Sequence, residues 1–333
     1  MEHLQIEKQY ANALGYILEN GIENENRTGT NAISVPYVSL CQKNDDDHFM
    51  FPEVRGKKVY PFMALKELLW MLKGRTDLKW LRDHNVTYWD EWELPDGTIG
   101  KSYGWQYRNF NGVDQVDALI KGLRDNPLDR RHIISLWNPS DLHEMALPPC
   151  QFLYEFIVQE VKKTDQEWTS SMKRASSVKH VYKVHLSATM RSADMFLGVP
   201  YNMMFNGWML ALIVDYLNHM ASFEEQYDEF FPSSDYLTGD IYMSLNNAHV
   251  YVNHVDQVKQ YIANVSEDKE RVVTNGVRLV IDHDYFNKSE MAFDSFDSYL
   301  DWIIDDVERS KRRNIRLIKQ EDSYGKIEAP IAV

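Results

Sequence analysis

Residues 62–72, Phe-Met-Ala-Leu-Lys-Glu-Leu-Leu-Trp-Met-Leu, present apolar side chains almost all the way round a helix, with Pro61 as its first residue and Gly74 as its stop. A helix of this kind has no face to give to water, so other elements must cover it on every side. Residues 203–217 read as a second long apolar helix. Two buried helices need a sheet or further helices around them, and both are legible. Ile6, Tyr10, Leu14 and Ile17 recur at helical spacing up to Asn20-Gly21, and residues 114–124 form another amphipathic helix before Asn126-Pro127. Residues 32–40, 131–137, 152–158 and 181–191 read as strands from their alternation and β-branched content. At 333 residues and 44% apolar content the chain can bury such a core, and no repeat, low-complexity tract or linker divides it. The expectation is a single α+β domain over residues 1–333, with surface insertions near 159–180, Lys/Ser-rich and without apolar period, and near 222–234, acidic and punctuated by aromatics. Residues 282–308 alternate acidic and aromatic side chains without a readable period.

Charge narrows the partners. Lys and Arg number 36 against 50 Asp and Glu, a formal net charge of −14, which repels a phosphate polymer at long range and argues against general nucleic-acid binding. A local cluster of arginines can still hold a small phosphate. The longest apolar run, residues 208–214, is far below the roughly 20 residues of a membrane span, and the N-terminus has neither a basic nor an apolar leader region, so a cytoplasmic protein is expected. Only two cysteines, Cys41 and Cys150, are present, which points to thiol chemistry rather than a disulfide framework.

Glu67 stands out on the apolar helix, with Met63, Ala64, Trp70 and Met71 at its i−4, i−3, i+3 and i+4 positions. A carboxylate there must be paired, protonated with a raised pKa, or holding ordered water, unless it reaches solvent at the helix end. Cys150 follows Pro148-Pro149, so its backbone is fixed just before a strand. That suits a nucleophile activated by a nearby guanidinium and equally a buried structural thiol. Arg27, Arg130, Arg131 and Arg191 lie in loops or at strand ends, where they fit either anion recognition or surface ion pairs. His249 and Tyr251 at i and i+2 share one strand face, as a sheet-packing pair or as donors to a sugar hydroxyl. Asn202 and Asn206 precede the second apolar helix as candidate caps, although an amide also matches the donor–acceptor edge of uracil.

Nine segments resemble, in order, the folate-dependent thymidylate synthase family: Asn26-Arg27-Thr28-Gly29-Thr30; Lys66-Glu67-Leu68-Leu69-Trp70; residues 85–92; Asp129-Arg130-Arg131-His132-Ile133; Met145-Ala146-Leu147-Pro148-Pro149-Cys150; Arg191-Ser192-Ala193-Asp194; Phe196-Leu197-Gly198-Val199-Pro200-Tyr201-Asn202; residues 249–254; and the C-terminal Ala329-Pro330-Ile331-Ala332-Val333. The resemblance implies a mixed sheet packed by helices, with a sheet face forming a homodimer interface. It implies that Cys150 adds to C6 of dUMP and that 5,10-methylenetetrahydrofolate supplies the one-carbon unit to C5. Arg27 and Arg191, with Arg130 and Arg131 from a second subunit, would hold the phosphate, Arg191 would favour the thiolate, and Ser192 would also bind the substrate. Asn202 would read the pyrimidine, and His249 and Tyr251 the ribose. Glu67 and Tyr103 would move protons. The folate would lie against Trp89, Trp92, Asp194, Leu197, Gly198 and Tyr201, with the tail ending at Val333 closed over it. Four places depart from the family's usual pattern. Gln151 replaces a histidine after the cysteine, Asn246-Asn247 replaces Gly-Asp, and the contexts of Tyr103 and Arg191 look closer to pyrimidine hydroxymethylases. The same scaffold could therefore end in hydride transfer, giving dTMP and dihydrofolate, or in water addition, giving 5-hydroxymethyl-dUMP and tetrahydrofolate. A non-catalytic nucleotide- or RNA-binding protein on the same fold is a further alternative, and a generic cysteine hydrolase a more distant one, since no histidine has a sequence context suggesting a base for Cys150.

Overall fold

In chain order the elements are α1 (Ile6–Asn20), β1 (Ile22–Asn24), β2 (Ala32–Gln42), β3 (Met50–Phe51), α2 (Pro61–Leu72), α3 (Leu78–Asp83), α4 (Gly104–Arg108), α5 (Gln115–Asp125), β4 (Ile133–Ser135), β5 (Gln151–Glu160), β6 (His180–Met190), β7 (Ala193–Asp194), α6 (Gly198–Tyr227), β8 (Ser234–Tyr251), α7 (Val255–Glu267), β9 (Val277–Ile281), α8 (Phe296–Glu308) and β10 (Ile315–Ile318). The computed structural model describes residues 6–44, 49–161, 180–227, 234–267, 277–281, 293–308, 314–318 and 327–330.

A seven-stranded mixed sheet organises the chain in the order β1-β2-β8-β6-β5-β4, and the short β7 also pairs with β8. β6 and β7 run parallel to β8, while β1–β2, β2–β8, β5–β6 and β4–β5 are antiparallel. β10, β9 and β3 make a separate three-stranded sheet. Strand alternation sorts the main sheet into two faces. Val184, Leu186, Ala188, Ile241, Met243 and Leu245 point to the helices and are buried. The other face carries Tyr37, Tyr242 and Ile157, all more than a third exposed.

The helix over residues 61–72 forms as expected, with Gly74 at φ +70° just past its end. Ala64, Leu65, Leu68, Leu69 and Trp70 are fully buried, the last donating its indole N–H to the Asp77 carbonyl at 2.9 Å. Trp208 of α6 packs near Phe62 and donates to the Pro61 carbonyl, so the two apolar helices cover one another. Asp114 caps α5 by accepting from the Asp117 N–H at 2.9 Å.

Four expectations change. Asn202 and Asn206 lie inside α6 rather than before it, because the helix starts at Gly198 and carries Pro200 in its first turn, where a missing N–H leaves no bond unmade. The same helix runs on through residues 222–227, where no Gly or Pro stops it, so that part of the expected 222–234 loop is helical; residues 228–233 lie outside the described residues. The strand expected over 131–137 shortens to Ile133–Ser135, since Arg131 is tied back to Asp129 and Pro139 follows closely. Within the unreadable 282–308 stretch, Phe296, Tyr299, Leu300, Ile303 and Val307 form the buried stripe of α8. Of the 159–180 insertion, Gln159 and Glu160 end β5, His180 opens β6, and residues 162–179 lie outside the described residues. Among the described residues no helix is long and apolar enough to cross a membrane.

Candidate active site

The end of β6, the turn into β7 and the end of β8 meet the residue just before β5, and that junction places Cys150. The Arg191 N–H donates to the Cys150 carbonyl at 2.8 Å, and the Cys150 N–H donates to the Tyr103 hydroxyl at 2.9 Å. The thiol is thus fixed from both sides. Arg191 donates from Nε to the Pro149 carbonyl at 3.0 Å and from Nη2 to the Pro148 carbonyl at 2.8 Å. Held this way, its Nη2 stands 3.9 Å from the Cys150 sulfur, and its guanidinium lies 5.3 Å from the centre of the Trp137 ring. The two prolines therefore do more than stiffen the chain: their carbonyls aim the guanidinium at the thiol. Burial holds the Cys150 thiol above its usual range, and Arg191 and then Arg27 offset part of that rise.

A cavity of about 310 Å³ opens over the sulfur, lined by residues 24–28, Ala32, Ser34, Cys150, Arg191, Ser192, Asn247, His249 and Tyr251. The loop that brings Arg27 here is shaped by Asn26, whose Oδ1 accepts from the Thr28 N–H at 2.9 Å, and by Gly29 at φ +72°. His249 and Tyr251 do share a face and meet edge to face at 5.2 Å. His249 Nδ1 pairs with the Asn247 carbonyl at 2.8 Å, a bond that requires a proton on Nδ1. Asn247 adopts φ +44°, a conformation asparagine tolerates.

Glu67 lies on α2. Its Oε2 accepts from the Tyr88 hydroxyl at 2.7 Å and its Oε1 from the Trp89 indole at 2.8 Å. Desolvation raises its pKa, and these two donors pull against the rise. Trp89 meets Tyr103 at 5.4 Å and Trp92 at 5.6 Å. A continuous aromatic layer thus joins Glu67 to the hydroxyl beneath Cys150. Tyr103 sits at φ +30°, a strained conformation for a non-glycine residue, and the adjoining Gly104 is required because a Cβ there would fall 2.1 Å from the Arg75 carbonyl oxygen.

A second cavity of about 520 Å³ is lined by Lys57, Lys58, Val59, Tyr60, Leu197, Tyr201 and residues 327–330. Asp194 shapes its rim, accepting on Oδ1 from the Phe196 and Leu197 N–H groups at 3.0 and 3.2 Å. Lys57 is 4% exposed, donates to the Phe196 carbonyl and lies 3.9 Å from the centre of that ring; burial lowers its pKa to about 8. The C-terminal segment is held at the cavity by the Pro330 carbonyl, which pairs with His254 Nε2 at 2.6 Å.

The sequence model of the thymidylate synthase family matches residues 8–298. The chain belongs to the thymidylate synthase family. Enzymes of this family transfer one-carbon units, bind dUMP and folate, and use methylenetetrahydrofolate as co-substrate. Of the residues singled out in the sequence, this thymidylate synthase fold gathers Arg27, Cys150, Arg191, Ser192, His249 and Tyr251 around one cavity, and Leu197 and Tyr201 around the other. Glu67, Tyr103, Trp89 and Trp92 form the layer between helix and thiol. Asn202 is half-buried on the first turns of α6, which Gly198 opens. Arg130 and Arg131 are exposed and line neither cavity of their own chain; Arg131 makes a bidentate pair with Asp129. Val333 lies outside the described residues. Sequence reading missed Lys57, Lys58 and Tyr60, whose signal was only a basic pair before a buried helix, and it noted Asn247 only as a departure from the family pattern, not as a lining residue.

Proposed function

We propose that this protein is a dUMP C5 one-carbon transferase, acting as a thymidylate synthase that converts dUMP and 5,10-methylenetetrahydrofolate to dTMP and dihydrofolate. The observation that carries this reading is the Cys150 sulfur 3.9 Å from a guanidinium fixed by two backbone carbonyls, at the floor of a cavity that also holds Arg27, His249 and Tyr251. In it the Cys150 thiolate attacks C6, C5 becomes nucleophilic toward the methylene of the folate, and Asn202 pairs with N3–H and O4. Arg27, Arg191 and Ser192 take the phosphate. Glu67, with Tyr103 and ordered water, exchanges protons with the ring. The cavity bordered by Lys57, Leu197 and Tyr201 takes the folate, with Trp89, Trp92, Asp194 and Gly198 at its inner side and the C-terminal tail through Val333 as its cover.

Arg130 and Arg131 act across a homodimer. They stand exposed and line neither cavity of their own chain, and the sheet face opposite the buried one offers the exposed Tyr37, Ile157 and Tyr242 as an interface. The protein works in the cytoplasm as one domain of 333 residues.

The test is incubation with 5-fluoro-dUMP and methylenetetrahydrofolate, which should give a covalent ternary adduct that mass spectrometry maps to Cys150. With dUMP, the absorbance of dihydrofolate should rise. A protein that binds dUMP without forming the adduct is a binding module and ends the proposal. A second reading, dUMP 5-hydroxymethylase, is favoured by one feature, the buried amide pair Gln151–Asn206.

A further inference from the structure

Gln151 and Asn206 are 2% and 0% exposed, and the Gln151 Nε2–H donates to Asn206 Oδ1 at 2.5 Å. The Gln151 side chain also hydrogen-bonds the Tyr154 hydroxyl. Gln151 Oε1 and Asn206 Nδ2 are both buried and without a hydrogen-bond partner. The count does not depend on which way the amides are turned: with both reversed, the bond reverses and again leaves one donor and one acceptor. Two orphaned polar atoms at one buried place cost about 1–3 kcal/mol each, and a small ligand that accepts one hydrogen bond and donates another removes that cost. Water is such a ligand. The surroundings suit it, because Gln151 and Tyr107 both flank the buried Tyr154 hydroxyl, and Tyr103, Tyr107 and Tyr154 all feel the Glu67 charge.

The position is informative. Gln151 follows Cys150 directly, and Asn206 is one helical turn beyond Asn202 on the same face of α6. In the proposed function Cys150 bonds C6 of the pyrimidine while Asn202 reads N3–H and O4. C5 lies between those two contacts. The Gln151–Asn206 bond thus joins the chain neighbour of the first contact to the residue one turn beyond the second.

We propose that Gln151 and Asn206 together bind a water molecule behind C5, and that this water competes with hydride for the one-carbon unit, so that the pair sets how much 5-hydroxymethyl-dUMP the enzyme makes beside dTMP. The inference rests on the one-carbon-transfer reading above. After tetrahydrofolate has left the C5-bound carbon, the nucleotide carries an exocyclic methylene at C5 and the Cys150 sulfur at C6. The water oxygen bonds to the methylene carbon, and the π pair moves through C5 to O4. One water proton passes to the Glu67 carboxylate. Return of the enolate electrons expels the Cys150 thiolate and restores the C5=C6 bond. The sum is dUMP, methylenetetrahydrofolate and water giving 5-hydroxymethyl-dUMP and tetrahydrofolate, with no oxidation or reduction.

The experiment measures the ratio of 5-hydroxymethyl-dUMP to dTMP by mass spectrometry, in the intact protein and in the double variant Gln151→Leu/Asn206→Leu, which removes both orphaned atoms at similar volume. A product ratio is independent of the fraction of active enzyme, so a general structural defect leaves it unmoved. The intact protein should yield both products, and the ratio should fall about tenfold in the double variant, the effect of losing one well-placed hydrogen-bonded reactant. An unchanged ratio, or dTMP as the sole product of the intact protein, overturns the inference. Adduct formation with 5-fluoro-dUMP is measured on the same samples: its absence in the intact protein overturns the parent reading instead. If the double variant alone forms no adduct, the single variant Asn206→Ala decides by the same ratio.

Discussion

Replacing Glu67 separates its two properties, an acceptor for buried donors and a carrier of a proton. Its oxygens accept from the Tyr88 hydroxyl at 2.7 Å and from the Trp89 indole at 2.8 Å. An indole can only donate, whereas a phenol can turn and accept. In Glu67→Gln the amide oxygen can face Trp89 and the amide nitrogen can face Tyr88, so both bonds survive. In Glu67→Leu both donors are orphaned, at about 1–3 kcal/mol each, and the loss of stability should be about 2–6 kcal/mol. The two variants should therefore differ by several kcal/mol in urea unfolding. The pH dependence has a definite sign. Burial raises the folded pKa of Glu67 above its unfolded value of 4.5, so the native state holds the proton more tightly. Stability of the intact protein is lost as pH rises from 4.5 through the raised value, and Glu67→Gln escapes that loss. The variant's stability relative to the intact protein should thus climb with pH across that window. For function, release of tritium from 5-³H-dUMP, which requires proton removal at C5, should fall steeply in Glu67→Gln. The 5-fluoro-dUMP adduct, which forms without that removal, should persist. Equal destabilisation by Gln and Leu, or undiminished tritium release, would refute the reasoning.

Other outcomes follow from single contacts. Arg191 is the largest influence lowering the buried Cys150 thiol. In Arg191→Leu the rise of Cys150 alkylation with pH should move to higher pH, read in the free protein by mass spectrometry of the Cys150 peptide; an unmoved profile removes Arg191 from thiol activation. Gly104→Ala drives a Cβ to 2.1 Å from the Arg75 carbonyl oxygen and should lower stability by about 1–3 kcal/mol in urea unfolding, and a change below about 0.5 kcal/mol contradicts the close approach. His254→Leu removes the bond to the Pro330 carbonyl, worth about 1 kcal/mol, so KM for the folate should rise about fivefold while KM for dUMP holds; a parallel rise in both denies the anchor role.

What the sequence determined by itself was mostly local. The buried helix over residues 61–72, the amphipathic helix from Ile6 and the strand from Ala32 were readable because their period, bounding Pro and Gly, and β-branched content are written in adjacent residues. The resemblance carried the family, since nine short segments in fixed order are a linear property too, and the family match over residues 8–298 agrees with it. The start of α6 was misread because asparagine is both a good cap and an acceptable helix residue, and the choice fell to the turn that Asp194 closes four residues ahead of Gly198. The α8 stripe hid among acidic residues until burial marked which aromatics face inward. Tertiary structure alone decided how the groups meet: that the Pro148 and Pro149 carbonyls aim Arg191 at the Cys150 sulfur, that Tyr88 and Trp89 clamp Glu67, and that two amides 55 residues apart share one buried bond. Each depends on distances across the sheet and between helices, and on how far burial strips water from a polar atom, and neither quantity exists before the chain has closed on itself.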